Sequence, residues 1–122
     1  MAWDYFTDAE MACRHCGRLE MDEAFMERLG RLRAFLRFSM PVSSGFRCPY
    51  YNNEVSSTGR EGPHTTGKAA DILISGAMAS ILLREAMAFG FTGIGLRQSG
   101  PTDKRFIHLD TMPRPYQTIW TY

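Results

Sequence analysis

The stretch Ala69-Ala70-Asp71-Ile72-Leu73-Ile74 is a compact apolar run that a single charge, Asp71, interrupts. Such a short apolar run is typical of a buried strand. A buried carboxylate without a partner costs free energy, so Asp71 needs compensation from its surroundings. The run therefore predicts a buried strand in which the Asp71 carboxylate has a polar or charged partner.

Two other segments show apolar residues at helical spacing. Asp22 to Phe38 predicts one helix and residues 77–89 predict another. In the first helix the predicted buried stripe consists of Phe25, Met26, Leu29, Leu32, Phe35 and Leu36. In the second it consists of Ile81, Leu82, Met87 and Phe89. These are the two main helices that we expect.

Further short strands are predicted between the two helices and after the second one. One lies within residues 41–46, one runs through Leu96 and Arg97, and one covers Phe106–Leu109. The polar, glycine-rich residues 56–68 predict a functional or mobile loop. We interpret the tail from Pro113 to Tyr122 as irregular. Together these elements predict an α+β fold, with two helices against a small, largely antiparallel sheet.

Size and composition indicate one globular domain. The chain has 122 residues, of which 44% are hydrophobic, so one ordinary core can form without a disulfide framework. The formal net charge of +1 argues against a strongly electrostatic nucleic-acid binder. No apolar run approaches the roughly 18 residues of a membrane span. We expect a monomeric single domain over residues 1–122, with residues 1–21 packed on it through aromatic side chains such as Trp3 and Phe6.

Ionisable side chains inside apolar stretches predict a site. His108 lies in the last predicted strand, as Asp71 does in the first stretch, and His64 ends the polar loop seven residues before Asp71. Two imidazoles and one carboxylate suit Zn²⁺ with a fourth position open to water. A histidine on an apolar strand is more often a hydrogen-bonded core residue, so the spacing alone leaves both interpretations open.

A succession of motifs favours the metal site. In order along the chain it consists of Ser44-Gly45-Phe46-Arg47-Cys48-Pro49, an asparagine at position 52 or 53, His64-Thr-Thr-Gly67-Lys-Ala69-Ala70-Asp71-Ile72, Gly93-Ile94-Gly95, Phe106-Ile107-His108-Leu109-Asp110 and Trp120. This order resembles the zinc D-alanyl-D-alanine carboxypeptidases and peptidoglycan endopeptidases, the LAS metallopeptidases, whose fold the hedgehog signalling domain shares. The resemblance covers about residues 20–121.

The resemblance implies a role for each matching residue. His64, Asp71 and His108 would be the Zn²⁺ ligands, and Arg47 would be a catalytic clamp that also binds substrate. A guanidinium suits this role because it binds a carboxylate or a polarised carbonyl bidentately. Asp110 follows His108 by two residues and so lies on the same strand face. As a catalytic residue it would accept a hydrogen bond from a ligand imidazole or handle the proton of the water. The alternative is a purely structural hydrogen-bond role.

Two departures from the family pattern bear on activity. The family's serine two residues before the first histidine is Gly62 here, so its hydroxyl is missing or replaced. Many members place an acid three residues before the last histidine as general base, and Arg105 occupies that position. The base is therefore open between Asp110 and the loop acids Asp103 and Glu61.

The aromatic tail has two interpretations. Trp120, with Tyr116 and Tyr122, would line a substrate groove beside Arg114, because aromatic faces pack on peptides and sugars. Alternatively, Trp120 packs the tail onto the core. We assign Trp120, with Arg47, to substrate binding.

The cysteines also leave alternatives open. Cys13-x-x-Cys16 and Cys48 would be reduced and packed, joined in a disulfide, or ligands of a small structural zinc site that His15 could complete. Structural zinc normally takes four ligands, and a lone Cys-x-x-Cys motif is a weak signal. A zinc module that binds nucleic acid is disfavoured because basic and aromatic residues do not interleave.

The resemblance implies a zinc metallopeptidase that hydrolyses peptide bonds of bacterial peptidoglycan, in the stem peptide or the cross-link. Carboxypeptidase and endopeptidase action both stay open. The alternative is a metal-stabilised, non-catalytic binding domain of the same fold. The acidic N-terminal residues lack the pattern of a signal peptide. We therefore expect cytoplasmic synthesis and action on the cell wall after release, as in a phage or prophage endolysin.

Overall fold

A five-stranded sheet is the frame of the computed structural model, which describes residues 3–122. The strands are Val42–Ser44 (β1), Ala69–Leu73 (β2), Gly93–Arg97 (β3), Phe106–Asp110 (β4) and Thr118–Thr121 (β5). Their order across the sheet is β1-β2-β4-β3-β5. All neighbouring strands are antiparallel except β3 and β5, which are parallel. The predicted α+β class, with a mostly antiparallel sheet, is confirmed.

Four helices accompany the sheet within the described residues. They are Asp8–Met11 (α1), Glu23–Leu36 (α2), Pro49–Val55 (α3) and Gly76–Ala88 (α4), and single turns of 3₁₀ helix cover Pro63–Thr66 and Thr102–Lys104. The two long helices lie where the sequence predicts them. Helix α2 begins after Asp22 because the Asp22 carboxylate accepts a hydrogen bond from the Phe25 N–H at 2.9 Å. No helix among the described residues is long and apolar enough to cross a membrane.

The hydrophobic core lies on one face of the sheet. Alternate residues of the three central strands enter it together with residues of the two long helices, among them Ala70, Ile72, Ile94, Ile107, Leu109, Phe25, Leu29, Leu32 and Leu82. Phe6 and Met11 belong to the same core and Trp3 packs against it. Met1 and Ala2, which the single-domain prediction includes, lie outside the described residues. Because strand side chains alternate between faces, the residues between the core positions point to the opposite side, which we call the site face.

Two predicted core positions are wrong. Phe35 is 60% exposed and Met87 is 40% exposed. Phe35 lies off the buried stripe of α2, whose Leu36 still packs against the core, and Phe35 only meets Phe89 at the rim, with ring centroids 5.6 Å apart. In α4 the small residues Ala79 and Ala86 occupy buried positions. A pattern read from large apolar residues misses such alanines, which allow a helix to pack closely on a sheet.

The tail is not irregular as predicted. Residues Thr118–Thr121 form β5, in which Gly93 pairs with Thr118 and Gly95 pairs with Trp120. Two prolines, Pro113 and Pro115, come shortly before this strand, and only alternate residues of it are partly buried. A strand of four residues at a sheet edge depends on its neighbour for stability, so its own sequence gives little signal.

Candidate metal centre

Strand register brings Asp71 and His108 together. The two residues are direct partners in the antiparallel pair of β2 and β4. Their side chains therefore leave the sheet on the same face, and Asp71 Oδ1 lies 3.1 Å from His108 Nδ1. Both residues are buried, with side chains 8% and 3% exposed.

His64 reaches the same point from the 3₁₀ turn before β2. Its Nδ1 donates a hydrogen bond to the Gly45 carbonyl at 2.8 Å, and its Nε2 lies 3.3 Å from Asp71 Oδ1. Gly67 ends this turn with φ +77°, and a Cβ there would meet the backbone of Glu20. Only glycine fits both conditions, so Gly67 allows the chain to pass from the turn into β2.

The hydrogen bonds leave three lone pairs directed at one place. A carbonyl oxygen only accepts, so His64 carries its proton on Nδ1 and presents a lone pair on Nε2. His108 Nε2 lies 2.7 Å from the Asp110 carboxylate, which also only accepts, so His108 Nδ1 carries the other lone pair. With Asp71 Oδ1 these ligand atoms lie within 4.8 Å of one another. A cation between them removes the repulsion, and this donor set suits Zn²⁺ with one position left open.

Protons compete with a cation for these ligand atoms, and the pKa shifts of Asp71 and His108 describe the protonated imidazoles. Burial raises the pKa of Asp71, but the contacts with His108 and His64, when these imidazoles are protonated, together outweigh burial and hold the pKa below its ordinary value. Burial lowers the pKa of His108, whereas the two carboxylates of Asp110 and Asp71 raise it, and their effect is the larger. Asp71 is therefore an ionised carboxylate at neutral pH.

Asp110 lies behind His108 and is fully buried. Its two carboxylate oxygens accept from His108 Nε2 at 2.7 Å, Arg114 Nη2 at 2.8 Å and the Met112 N–H at 3.1 Å. Burial raises the pKa of Asp110, but the contacts with His108, the Met112 N–H and Arg114 together outweigh it and lower the pKa. Any side chain at Gly93, its partner on β3, would overlap the carboxylate. This geometry favours the first of the roles considered for Asp110, that of accepting a hydrogen bond from a ligand imidazole.

Arg47 is held rigidly beside the same carboxylate. Its Nη2 lies 3.3 Å from Asp71 Oδ2, its Nε donates to Ser44 Oγ at 3.0 Å, and its Nη1 donates to Asn52 Oδ1 at 3.2 Å. The side chain is 15% exposed. These bonds use three of the five guanidinium N–H groups, so two remain for a ligand.

Asn52 is a site residue to which sequence reasoning gave no role. It is 1% exposed, and its amide group donates to Thr58 Oγ1 at 2.8 Å and to the Gly59 carbonyl at 2.6 Å. These bonds fix the orientation of the amide, so that its oxygen faces Arg47. An asparagine in the family motif was the one signal in the sequence, and its partners are not visible there.

Thr58 also accounts for the departure at position 62. A Cβ at Gly62 would overlap the Thr58 hydroxyl and would lie 3.1 Å from Asn52 Nδ2. The Thr58 hydroxyl thus fills the space that a side chain at position 62 would enter, and it reaches this space from the other end of the loop.

A groove of about 800 Å³ opens over the three candidate ligands. Besides them it is lined by cationic and aromatic side chains that include Arg47, Arg97, Arg114, Trp120 and Tyr122. The Trp120 ring is partly exposed and lies 5.2 Å from the His108 ring, with the Arg114 guanidinium 5.3 Å from the indole. A Cβ at Gly95 would come within 2.6 Å of the indole nitrogen, so glycine makes room for Trp120. Trp120 therefore borders the groove, whereas the loop acids Asp103 and Glu61 are not among its lining residues.

Comparison with known families agrees with the motifs. The family model described as Peptidase M15 matches residues 4–110. The matched region contains the three candidate ligands, Arg47 and Asp110, and it ends before Trp120. A search of curated proteins finds no match to the chain.

Proposed function

The chain belongs to the peptidase M15 family, and we propose that it is a zinc peptidase that hydrolyses peptide bonds of bacterial peptidoglycan. The observation that carries the proposal is the convergence of three lone pairs, from His64 Nε2, Asp71 Oδ1 and His108 Nδ1, beneath the groove. A bound Zn²⁺ would supply Lewis acidity toward a water nucleophile and the scissile carbonyl.

The three proposed ligands would contribute different donor groups to the ion. His64 and His108 provide neutral nitrogen donors whose rings are oriented by the Gly45 carbonyl and by Asp110. Asp71 provides the only negative charge among them. We assign Asp110 to positioning, because it holds the tautomer and orientation of His108 from a fully buried position.

Arg47 binds the substrate next to the ligands. Its two remaining N–H groups suit a carboxylate or a carbonyl oxygen that gains negative charge during hydrolysis. Because Ser44, Asn52 and Asp71 already hold the guanidinium, binding costs little further side-chain entropy. Stem peptides carry free carboxylates, and Arg97 gives the groove a further positive charge to attract them.

Mass spectrometry of muropeptides after digestion of purified sacculi tests the proposal. We expect the zinc-loaded wild type to release new fragments and His64→Ala to release none. The fragment masses identify the bond that is cut, and with it carboxypeptidase or endopeptidase action. Failure of the wild type to change the muropeptide pattern, with one zinc bound at the His64 centre, would contradict the proposal.

A non-catalytic, metal-stabilised binding domain is the second candidate function. Asp71 is the only carboxylate among the residues that line the groove, and Arg105 occupies the position of the acid that many members use as base. This candidate predicts that the protein binds sacculi in a pull-down without releasing fragments. Turbidity loss of permeabilised Gram-negative cells with the wild type, and none with His64→Ala, would reject it.

A further inference from the structure

A second group of metal-ligating side chains lies apart from the His64–Asp71–His108 centre. The sulfur atoms of Cys13, Cys16 and Cys48 lie within 4.8 Å of one another, and all three are free thiols. Cys13 and Cys48 are buried, with 3% and 6% exposure, and Cys16 is at the surface. Cys48 lies 35 residues after Cys13 in the sequence, yet its sulfur joins the other two. Core packing alone does not explain this grouping.

The backbone around Cys13 is arranged as at a thiolate ligand. Residues 13–18 form a closed turn in which the Cys13 N–H donates to the Arg18 carbonyl at 2.8 Å and the Gly17 N–H donates to the Cys13 carbonyl at 2.9 Å. Gly17 adopts φ +78°, which this tight turn requires.

Backbone N–H groups also point at the sulfur atoms. The Cys48 N–H lies 3.4 Å from Cys13 Sγ. Cys48 Sγ in turn accepts from the Tyr51 N–H at 3.4 Å. Donors arranged in this way stabilise negative charge on sulfur.

His15 is the candidate for a fourth ligand, because its ring lies next to one of the three sulfurs. Its Nδ1 lies 3.9 Å from Cys48 Sγ. In a tetrahedral zinc site the usual bond lengths put a nitrogen and a sulfur ligand about 3.6 Å apart and two sulfurs about 3.8 Å apart. The His15 ring also contacts Tyr50 and Tyr51, with centroids 4.9 Å and 6.0 Å away, which limits its motion.

We propose that Cys13, Cys16, Cys48 and His15 bind a second zinc ion in a structural site. Three cysteines and one histidine are a common ligand set for structural zinc, and all four positions of the ion are then filled by the chain. A disulfide would use two of the sulfurs and leave the third without a partner, whereas a thiophilic cation uses all three. This site is independent of the proposed peptidase function, since it shares no ligand with the first centre.

The position of the site gives it a consequence for Arg47. Cys48 directly follows Arg47, and the Phe46 N–H donates to the Met11 carbonyl at 2.8 Å. An ion on Cys13 and Cys48 would therefore fasten the N-terminal segment to the backbone that carries the guanidinium. Loss of this ion should loosen Arg47 without removing a ligand of the first centre.

Cobalt substitution of the reduced, full-length protein tests the proposal. Thiolate ligands give Co²⁺ an intense near-ultraviolet charge-transfer band, and histidine and aspartate ligands do not. We expect the wild type to bind two equivalents of Co²⁺ and to show this band. His108→Ala should lose one equivalent and keep the band, and Cys48→Ser should lose one equivalent and most of the band. His15→Ala should keep the band with weaker metal affinity.

Alkylation of the wild type keeps the test decisive if a cysteine variant fails to fold. We expect iodoacetamide to spare the three cysteines of the zinc-loaded native protein and to modify them once a chelator has removed the metal. Absence of the charge-transfer band from the wild type, or two of the cysteines found joined in a disulfide, would overturn the proposal. Failure of the peptidase function alone would leave the band and its one equivalent of metal in place.

Discussion

Replacing Asp110 with asparagine should weaken metal binding without changing a metal ligand. The Asp110 carboxylate accepts three hydrogen bonds, two of them on Oδ2 from His108 and Arg114, and one on Oδ1 from the Met112 N–H. Asparagine has the same shape but only one acceptor oxygen. In one orientation its NH₂ group faces the Met112 N–H, and in the other it faces two donors at 2.7 and 2.8 Å.

The size of the effect follows from these contacts. One buried donor is left unsatisfied in the better orientation, which costs about 1–3 kcal/mol of unfolding free energy. The loss of the negative charge behind His108 lowers the basicity of its Nδ1, and removal of such a partner typically costs about 10–100-fold in metal affinity. We therefore expect the Zn²⁺ dissociation constant of the His64 centre to rise by one to two orders of magnitude.

Competition with a chromophoric chelator measures this constant, and Asp4→Asn is the matched control. Asp4 is an exposed carboxylate, so its replacement makes the same chemical change away from the centre. To isolate the His64 centre, both variants are compared in a Cys48→Ser background. Equal zinc affinity of Asp110→Asn and Asp4→Asn would refute the assignment of Asp110 to positioning His108.

Four further predictions concern other positions and the metal itself. Asn52→Ala removes the acceptor of Arg47 Nη1, so KM for a muropeptide should rise several-fold with zinc content unchanged; an unaltered KM would contradict the role of Arg47 in substrate binding. Gly95→Ala places a Cβ within 2.6 Å of the Trp120 indole nitrogen, so tryptophan fluorescence and substrate affinity should both change, in contrast to a mere loss of stability. Gly30→Ala, in the middle of α2 with no neighbour within 4 Å of the added Cβ, should raise the unfolding free energy by about 0.5–1 kcal/mol in denaturant titration, and a decrease would show a contact that the structure does not contain. Removal of zinc with a chelator should abolish peptidase activity and lower the unfolding free energy by about 3 kcal/mol for each ion removed, relative to protein in a hundredfold excess of zinc over Kd, and added zinc should restore both.

The strands that carry the site could be predicted because their local sequence is unusual. Asp71 and His108 each interrupt an apolar run, and such an interruption is visible without any knowledge of neighbours. The succession of motifs then indicated which residues meet. Direct pairing of Asp71 with His108 agrees with both signals.

The parts that could not be predicted depend on long-range contacts. Strand β5 forms because it pairs in parallel with β3 at the edge of the sheet. Trp120 borders the groove because Gly95 has no side chain that would overlap its indole. The network that joins Arg47 to Asn52 and Thr58 crosses a polar loop whose sequence has no periodicity. The burial of Asp110 could likewise not be predicted from the sequence. This burial favours a role in positioning His108 over a role in handling the proton of the water.

A side chain at position 62 and the Thr58 side chain compete for the same space. The residue that one of these positions tolerates should therefore depend on the residue at the other. A serine at 62 overlaps the side chain of Thr58, whereas an alanine at 58 beside Gly62 leaves one N–H of the Asn52 amide without its acceptor. Each single step between the two arrangements is therefore unfavourable, although the double change Thr58→Ala with Gly62→Ser restores a hydroxyl near Asn52. Relatives of this chain should accordingly separate into two lineages, one with the hydroxyl at each position, and a double-mutant cycle should show strong epistasis between them.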